Sequence, residues 1–287
     1  MPALTLQAHA KLNLSLDITG IAPNGYHLLD MVMHTISLCD TVTLDAAAGL
    51  TLDAPAWMPQ GEDNLMMRAA LSLQRAAGLQ AGARMALTKR IPAQAGMGGG
   101  SADAAAVLRG LNELWGLRWP MDRLCEIGLR LGSDVPFALR GGTARVRGVG
   151  EIIEPVNDAA ALWFALAMPS GGGVDTAVCY RRYDEKGAAN RRPNTDALIA
   201  ALCRGDLPAM AAAGGNALER AAVSLQGGIG DLLEQFRQGG AAFYAMTGSG
   251  AAVFAAFGDE ESARRAVASL RGAAWSAVAR SAAPREE

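Results

Sequence analysis

The chain has 287 residues, about half of them hydrophobic, with 26 Lys and Arg against 28 Asp and Glu for a formal charge of −2. Such a length suits one large domain or two ordinary ones with a substantial core. The near-neutral balance has no basic block, which argues against nucleic acid as the main partner, and no apolar run is long enough to span a bilayer.

The opening residues, MPALTLQAHAKLNL, lack a charged segment followed by an apolar core, so no secretory signal is expected. Residues 3–9 and 12–19 alternate apolar and polar positions and read as two strands. A turn with Pro23, Asn24 and Gly25 follows. Residues 31–38, 40–46 and 50–54 are further strand candidates. A helix over 62–78 places Leu65, Ala69, Leu73 and Ala76 on one face, with Gly78 after its end. Strand 83–90 leads into a glycine-rich loop, and a helix over 102–116 follows, capped by Ser101 and closed by Gly116. A helix over 121–132, the short segment 133–139 and a hairpin over 141–156 complete the first part.

The pattern restarts after Pro155 and Asn157 with a strand over 161–169. Residues 176–183 suit a helix and 187–194 a polar loop. Helices are expected over 196–205, 216–220 and 230–240. Two apolar strands flank a glycine turn in 241–257, a helix over 259–272 has Asp259 as its cap, and a last strand covers 274–282. Strands and helices are plentiful but do not alternate one by one, which favours an α+β fold in two parts over one parallel sheet. The expected division is 1–157 and 158–287. Cys39, Cys125, Cys179 and Cys203 are scattered with no CxxC pair, so buried free thiols in a reducing cytoplasm are expected. His9, His27 and His34 form no pattern with them, and no structural zinc is expected.

The segment PAQAGMGGGSADAAA, Pro92 to Ala106, carries the most chemistry. Glycines let backbone N–H groups approach a ligand with no Cβ in the way, and the following helix start adds unpaired donors and the positive end of its dipole. Together these bind an anion, most often phosphate. The loop is not a Walker A loop, which needs a Lys before its Ser or Thr. Nor is it the dinucleotide fingerprint, whose sixth position, counted from Gly96, is here Ser101. A plain glycine turn with a helix cap is the alternative.

Four other clusters stand out. Lys11 and Asn13 share one strand face, either as an exposed face or as paired donors for an anionic or polar substrate. Asp134 in GSDVPF is either a helix N-cap or a carboxylate that takes a proton from a substrate hydroxyl, kept ionised by a nearby lysine. Tyr26 and His27 after the Pro-Asn-Gly turn are either a partly buried loop or a stacking and hydrogen-bonding pair for a planar base. Thr247 to Gly250 in MTGSGAAVF is either a hairpin turn or a second close approach to phosphate.

These segments, together and in order from AKLNLSLDITG and NGYH through EDNL, the glycine loop and GSDVPF to MTGSGAAVF, resemble the GHMP kinases across nearly the whole chain. The resemblance implies a two-domain α+β fold, with an N-terminal domain like domain 2 of ribosomal protein S5 and a C-terminal ferredoxin-like α/β sandwich. It implies transfer of the γ-phosphoryl group of ATP, with magnesium, to an alcohol. AKLNL, NGYH and GSDVPF point to one acceptor, a cytidine diphosphate-linked methylerythritol phosphorylated on a tertiary hydroxyl on the non-mevalonate route to isoprenoids. Homoserine or mevalonate kinases and an inactive nucleotide sensor are the alternatives.

By position, the resemblance makes Asp134 the base and Lys11 its electrostatic partner. Asn13 would hold the methylerythritol hydroxyls, Tyr26 would stack on the cytosine, and His27 would bond its edge. Thr176 would lie near the substrate and Tyr180 would form the second face of the sandwich. Pro92, Ala93, Gln94, Ala95, Gly96, Met97, Gly98, Gly99, Gly100, Ser101 and Ala102 would wrap the ATP phosphates, with Ser101 also near magnesium. Asn64, Leu65 and Lys89 would border the adenine. Gln94 and Ala95 stand where glycines occur in the glycine-richest loops of this kind, and Ala102 replaces a frequent second serine. The implied partners are small molecules alone, with no membrane or nucleic acid, and the implied assembly is a monomer or weak homodimer.

Overall fold

A computed structural model describes residues 3–186 and 192–283. β1 (Leu4–Ile21) is one strand where the alternation suggests two, because bulges after His9, Asn13 and Ile18 absorb the breaks in pattern without ending the pairing. β2 (His27–Ala47) likewise runs through both candidates at 31–38 and 40–46. It pairs antiparallel with β1 along its length.

β3 (Leu50–Asp53), α1 (Leu65–Ala77) and β4 (Gly82–Thr88) follow. Next come α2 (Gly99–Leu114), α3 (Met121–Leu129), α4 (Val135–Arg140), β5 (Thr143–Gly148) and β6 (Ile152–Pro155). Helix α2 starts earlier than expected: Gly98, in a left-handed conformation, is the cap position, and Ser101 lies inside the first turn rather than capping it. Glycine's freedom at φ 68° lets the loop turn directly into the helix.

The second half contributes β7 (Trp163–Pro169), α5 (Thr176–Lys186), α6 (Thr195–Cys203), α7 (Leu207–Ala213), β8 (Gly215–Asn216) and α8 (Glu219–Leu225). It ends with α9 (Gly228–Gln238), β9 (Phe243–Met246), β10 (Val253–Phe257), α10 (Glu260–Ser269) and β11 (Ala273–Arg280). The helix expected at 216–220 begins only at Glu219, because Gly215 and Asn216 extend beside Ser15 and Leu16 as a parallel strand. Tertiary pairing overrides local propensity there. The α7 helix has no counterpart in the sequence reading. The polar loop expected at 187–194 lies partly outside the described residues.

Two sheets result. The first has the order β3-β4-β2-β1-β8, with β5 pairing the early part of β2 and β6 pairing β5. The second is antiparallel, β11-β7-β10-β9. The early strands of the first sheet end with β6 at Pro155 and the second sheet starts at Trp163, but β8 returns to the first sheet from the second half. The halves are stitched together by the β1–β8 pairing and by an Ile36–Ser281 bridge.

Leu108, Leu111 and the alanines of α2 pack with α1 against Val42, Leu44 and Met85 of the first sheet. Leu12, Leu14, Leu16 and Met33 belong instead to the core shared with the second sheet, where Phe164, Phe243 and Phe254 meet edge to face. All four cysteines are free thiols, but only Cys179 is buried and Cys203 is exposed, so the expected burial holds for one of the four. Among the described residues no helix is long and apolar enough to cross a membrane.

His34 sits at the seam of the two halves. Its ring nitrogens bond Thr143 Oγ1 and Ser281 Oγ, both at 2.8 Å, and Phe164 packs beside it. Burial pushes its pKa down from 6.5 to about 4. The unfolded chain therefore binds a proton between those values that the folded chain does not, so stability falls as pH drops from about 6.5 toward 4. Urea melts at about pH 7 and pH 5 should show a larger loss for wild type than for His34→Gln, by on the order of 1–2 kcal/mol. Equal losses would contradict this account.

Candidate active site

The glycine loop owes its shape to backbone handedness. Gln94, Gly96 and Gly98 all have positive φ, at 51°, 72° and 68°, whereas Ala95 and Met97 between them do not. Such alternation turns successive N–H groups toward one side and makes a concavity for an anion. The intervening carbonyls point away and are anchored: Met97 O accepts from Lys11 N at 3.0 Å, and Ala95 O accepts from Ala252 N at 3.1 Å. The Ala95 and Met97 side chains are buried in the shared core. The N–H groups of Gly96, Gly98, Gly99 and Gly100 make no hydrogen bond to the protein among the described residues. They are left for a ligand at the start of α2.

β1 presents a second, polar face opposite its leucines. Lys11, Asn13, Ser15 and Asp17 lie there and are all buried. Lys11 Nζ donates to Asn13 Oδ1 at 2.5 Å and lies 3.6 Å from Asp134 Oδ2. Asp134 occupies the cap position of α4, yet its side chain makes no cap hydrogen bond. The carboxylate is directed at the lysine instead. At Gly98 a Cβ would crowd the Lys11 side chain, at 3.1 Å from Cγ and 3.2 Å from Cε, and would touch Asp134 Oδ2 at 3.5 Å. The loop thus runs directly over the ion pair. Thr247, from the turn after β9, accepts from Asn13 N at 3.0 Å and donates to Gly96 O at 3.3 Å. Asn216 Nδ2 holds the same turn through Met246 O and Gly248 O.

Beneath the loop lies a buried cluster. Lys89 Nζ donates to Asp40, and to Asp103 Oδ2 at 2.8 Å, and Asp40 Oδ1 also accepts from Arg90 N and Ile91 N. Two carboxylates face one ammonium in a desolvated site. Burial first, then the Asp40 charge working against the attraction of Lys89, raises Asp103 from 3.8 to about 7.

Two cavities meet around these groups. One, of about 490 Å³, runs along the loop from Trp57, Met58 and Leu65 to Lys11, Asn13 and Asp134. The other, of about 770 Å³, is lined by Asn24 to His27, by Leu129 to Ser133 and by Tyr180. Leu29, Ser133, Thr176 and Tyr180 line both, so they form one two-lobed cleft with Asp134 at the waist. Burial, and secondarily the charge of Asp134, raise the pKa of the Tyr180 hydroxyl and keep it protonated. A cleft with an anion cradle in one lobe, aromatic rings in the other and a lysine–carboxylate pair between them can bring a phosphate donor to an acceptor hydroxyl.

Known proteins share this architecture. Residues 64–142 match the GHMP kinases N terminal domain and residues 198–277 match the GHMP kinases C terminal domain. A 4-diphosphocytidyl-2-C-methyl-D-erythritol kinase of Pelotomaculum thermopropionicum is 42% identical over 271 residues, covering 93% of this chain and 94% of the relative. One of Geobacter metallireducens is 39% identical, covering 97% and 98%. The chain belongs to the GHMP kinase family. A crystal structure of 4-(cytidine 5'-diphospho)-2C-methyl-D-erythritol kinase superposes with a TM-score of 0.81 at 33% identity, covering 96% of this chain and 98% of that one. A homoserine kinase from Cytophaga hutchinsonii has a TM-score of 0.76 at 18% identity, covering 99% and 96%, and shares the fold.

As a GHMP kinase the protein is a phosphotransferase that uses ATP and an alcohol acceptor. Most of the residues singled out from sequence border the cleft. Lys11, Asn13, Leu65, Lys89, residues 92–101, Asp134, Thr176 and Tyr180 line the first lobe, and Tyr26 and His27 line the second. Asn64 does not line either lobe: its side chain caps α1 through Met66 N at 2.9 Å and donates to Pro59 O. Ala102 faces the core. Lys89 reaches the cavity, but its ammonium is committed to Asp40 and Asp103. Gly248 and Ser249 of the Thr247–Gly250 turn border the first lobe, as do Trp57, Met58, Pro59 and Ser133, which were not singled out. A large exposed aromatic between two prolines, DAPAWMP, was the available signal for Trp57.

Gly96 tests the cradle. A Cβ there would lie 2.2 Å from Thr247 O, at a φ that L side chains rarely adopt. Gly96→Ala should weaken ATP at least about tenfold by pushing the loop off the Thr247 turn, with the circular dichroism spectrum retained. ATP affinity within about twofold of wild type would contradict this geometry.

Proposed function

We propose that this GHMP kinase transfers the γ-phosphoryl group of ATP to the 2-hydroxyl of 4-diphosphocytidyl-2-C-methyl-D-erythritol, on the non-mevalonate route to isoprenoid precursors. The observation that carries this reading is the second lobe. It is larger than the nucleotide lobe, about 770 against 490 Å³, joins it at Ser133, next to Asp134 in sequence, and at Thr176 and Tyr180, and is walled by Tyr26, His27 and Tyr180. Homoserine or mevalonate would leave most of it empty, whereas a nucleoside diphosphate arm fills a cavity of that size. The kinases named above as relatives at about 40% identity phosphorylate such an acceptor by name. An inactive sensor would have no use for Lys11 poised beside Asp134.

The roles follow from position. Asp134 would accept the proton of the acceptor hydroxyl as its oxygen bonds to the γ-phosphorus, and the bond from that phosphorus to ADP breaks. Lys11, 3.6 Å away, would hold the carboxylate in place and draw charge from the reacting oxygens. Asn13, held by Lys11 and Thr247, would orient the methylerythritol hydroxyls, and Thr176 would flank them. Tyr26 and Tyr180 would pack on the cytosine and His27 would bond its edge. The amides of residues 96–100 would hold the phosphates, and Leu65 and Trp57 would border the adenine.

Among the described residues the first lobe is lined by one carboxylate, Asp134, and by the hydroxyls of Ser101, Ser133, Thr176, Tyr180 and Ser249. That set suits magnesium carried mainly by the nucleotide's phosphates, where it neutralises their charge. We take the assembly to be a monomer or weak homodimer. We also infer the domain division at 157/158, supported by the two family matches falling on either side of it.

An ADP-release assay should show turnover with the cytidine diphosphate acceptor and none with homoserine or mevalonate; the reverse pattern would overturn the assignment. Asp134→Asn should lower kcat by about 10²–10⁴ while ATP affinity changes little. Near-normal turnover in that variant would remove Asp134 from its role.

A further inference from the structure

We propose that Asp184 sets which base the second lobe accepts, by fixing the tautomer of His27. The proposal rests on the cytidine diphosphate reading above. His27 Nε2 and Asp184 Oδ1 are 2.8 Å apart, the carboxylate being half exposed on α5 and the imidazole mostly buried at the start of β2. A carboxylate only accepts hydrogen bonds, so Nε2 must carry the proton. In the uncharged ring Nδ1 is then a bare lone pair. His27 lines the lobe and Asp184 does not, and Nδ1 makes no hydrogen bond to the protein among the described residues. Nδ1 is therefore the ring nitrogen left for a ligand.

The ring is also held in place. Tyr180 lies against its face with centroids 4.7 Å apart and planes tilted by 32°, and Tyr183 meets it edge-on at 6.1 Å and 83°. With its orientation packed and one nitrogen tied, the imidazole presents a fixed acceptor. Cytosine and uracil differ at one edge atom: the first carries an exocyclic amine that donates, the second a keto oxygen that only accepts. A fixed lone pair bonds the amine and opposes the oxygen. Sites that hydrogen-bond a specific donor reject the analogue lacking it, because the polar group is then left unpaired. Asp184 is thus a positioning residue: it acts through His27 and does not touch the base.

The test compares the cytidine diphosphate acceptor with its uridine counterpart at about pH 8, above the ordinary range of imidazole titration. Wild type, Asp184→Ala and Asp184→Asn are assayed. Wild type should prefer cytidine by tenfold or more in kcat/KM. In Asp184→Ala the preference should fall about tenfold, through acceptor KM, with ATP KM within about twofold. Asp184→Asn, whose amide oxygen can still accept from Nε2, should recover part of it. Long-range nitrogen–proton NMR of wild type should show His27 protonated on Nε2.

An unchanged cytidine preference in Asp184→Ala, or a wild-type His27 protonated on Nδ1, overturns the role of Asp184 and leaves the cytidine assignment standing. Absence of wild-type turnover with the cytidine substrate overturns that assignment and this proposal together. Should Asp184→Ala not fold, the wild-type tautomer and the Asp184→Asn ratio decide.

Discussion

The site depends on how the glycine loop is pinned. Its carbonyls are used for anchoring, Met97 O to β1 and Ala95 O to the strand-turn at Ala252, and two buried side chains hold it from below. Because the carbonyls are spent on the protein, the amides between them face the cleft. A loop with free carbonyls would present mixed polarity to a phosphate, and one without anchors would have to order itself at each binding event. Every other feature takes its place from this one. Lys11 is positioned by the strand whose backbone receives the loop, Thr247 by the turn on which the loop rests, and Asp134 by the helix lying below Gly98.

Placing that many polar groups in a dry interior is costly, and the structure offsets the cost by pairing. Lys11 has Asn13 and Asp134, and Lys89 has Asp40 and Asp103. The two lysines do different work. Lys89 sits under the loop, where it ties the chain after β4 to Asp40 of β2 and to Asp103 of α2, and is as much a post as a cleft-facing group. Lys11 has a partner 3.6 Å away, beyond ordinary hydrogen-bond distance, so the pair leaves space at the waist of the cleft. Asp134 gives up the cap bond that its position on α4 would allow, a local loss of about 1 kcal/mol. That kind of concession is expected where function and stability compete for one side chain.

Much of this was legible in the residues. The loop's glycines, the period-two pattern that puts Lys11 with Asn13, and the motif around Asp134 all declare their chemistry within a few positions. Local signals were weaker wherever distant pairing decides the outcome. Bulges keep β1 and β2 whole across breaks in alternation. Gly215 and Asn216 are a strand only because Ser15 and Leu16 lie alongside. Ser101 looks like a cap until the left-handed Gly98 moves the helix start back. Asn64 fits a ligand-binding motif, yet its side chain is used up in capping α1. The contact of His27 with Asp184 spans 157 residues of chain, and no spacing rule reaches that far.

The cradle is a joint product of both ends of the chain. β1 and the glycine loop are made early, but the Thr247 turn and Ala252, which complete the anchoring, are translated near the end. The first sheet itself closes on β8, at Gly215 and Asn216, so neither the sheet nor the anchored loop is whole until the second half of the chain is in place. A ligand seated on that loop therefore bears on the packing of both halves at once, and its binding energy adds to the stability of the two together.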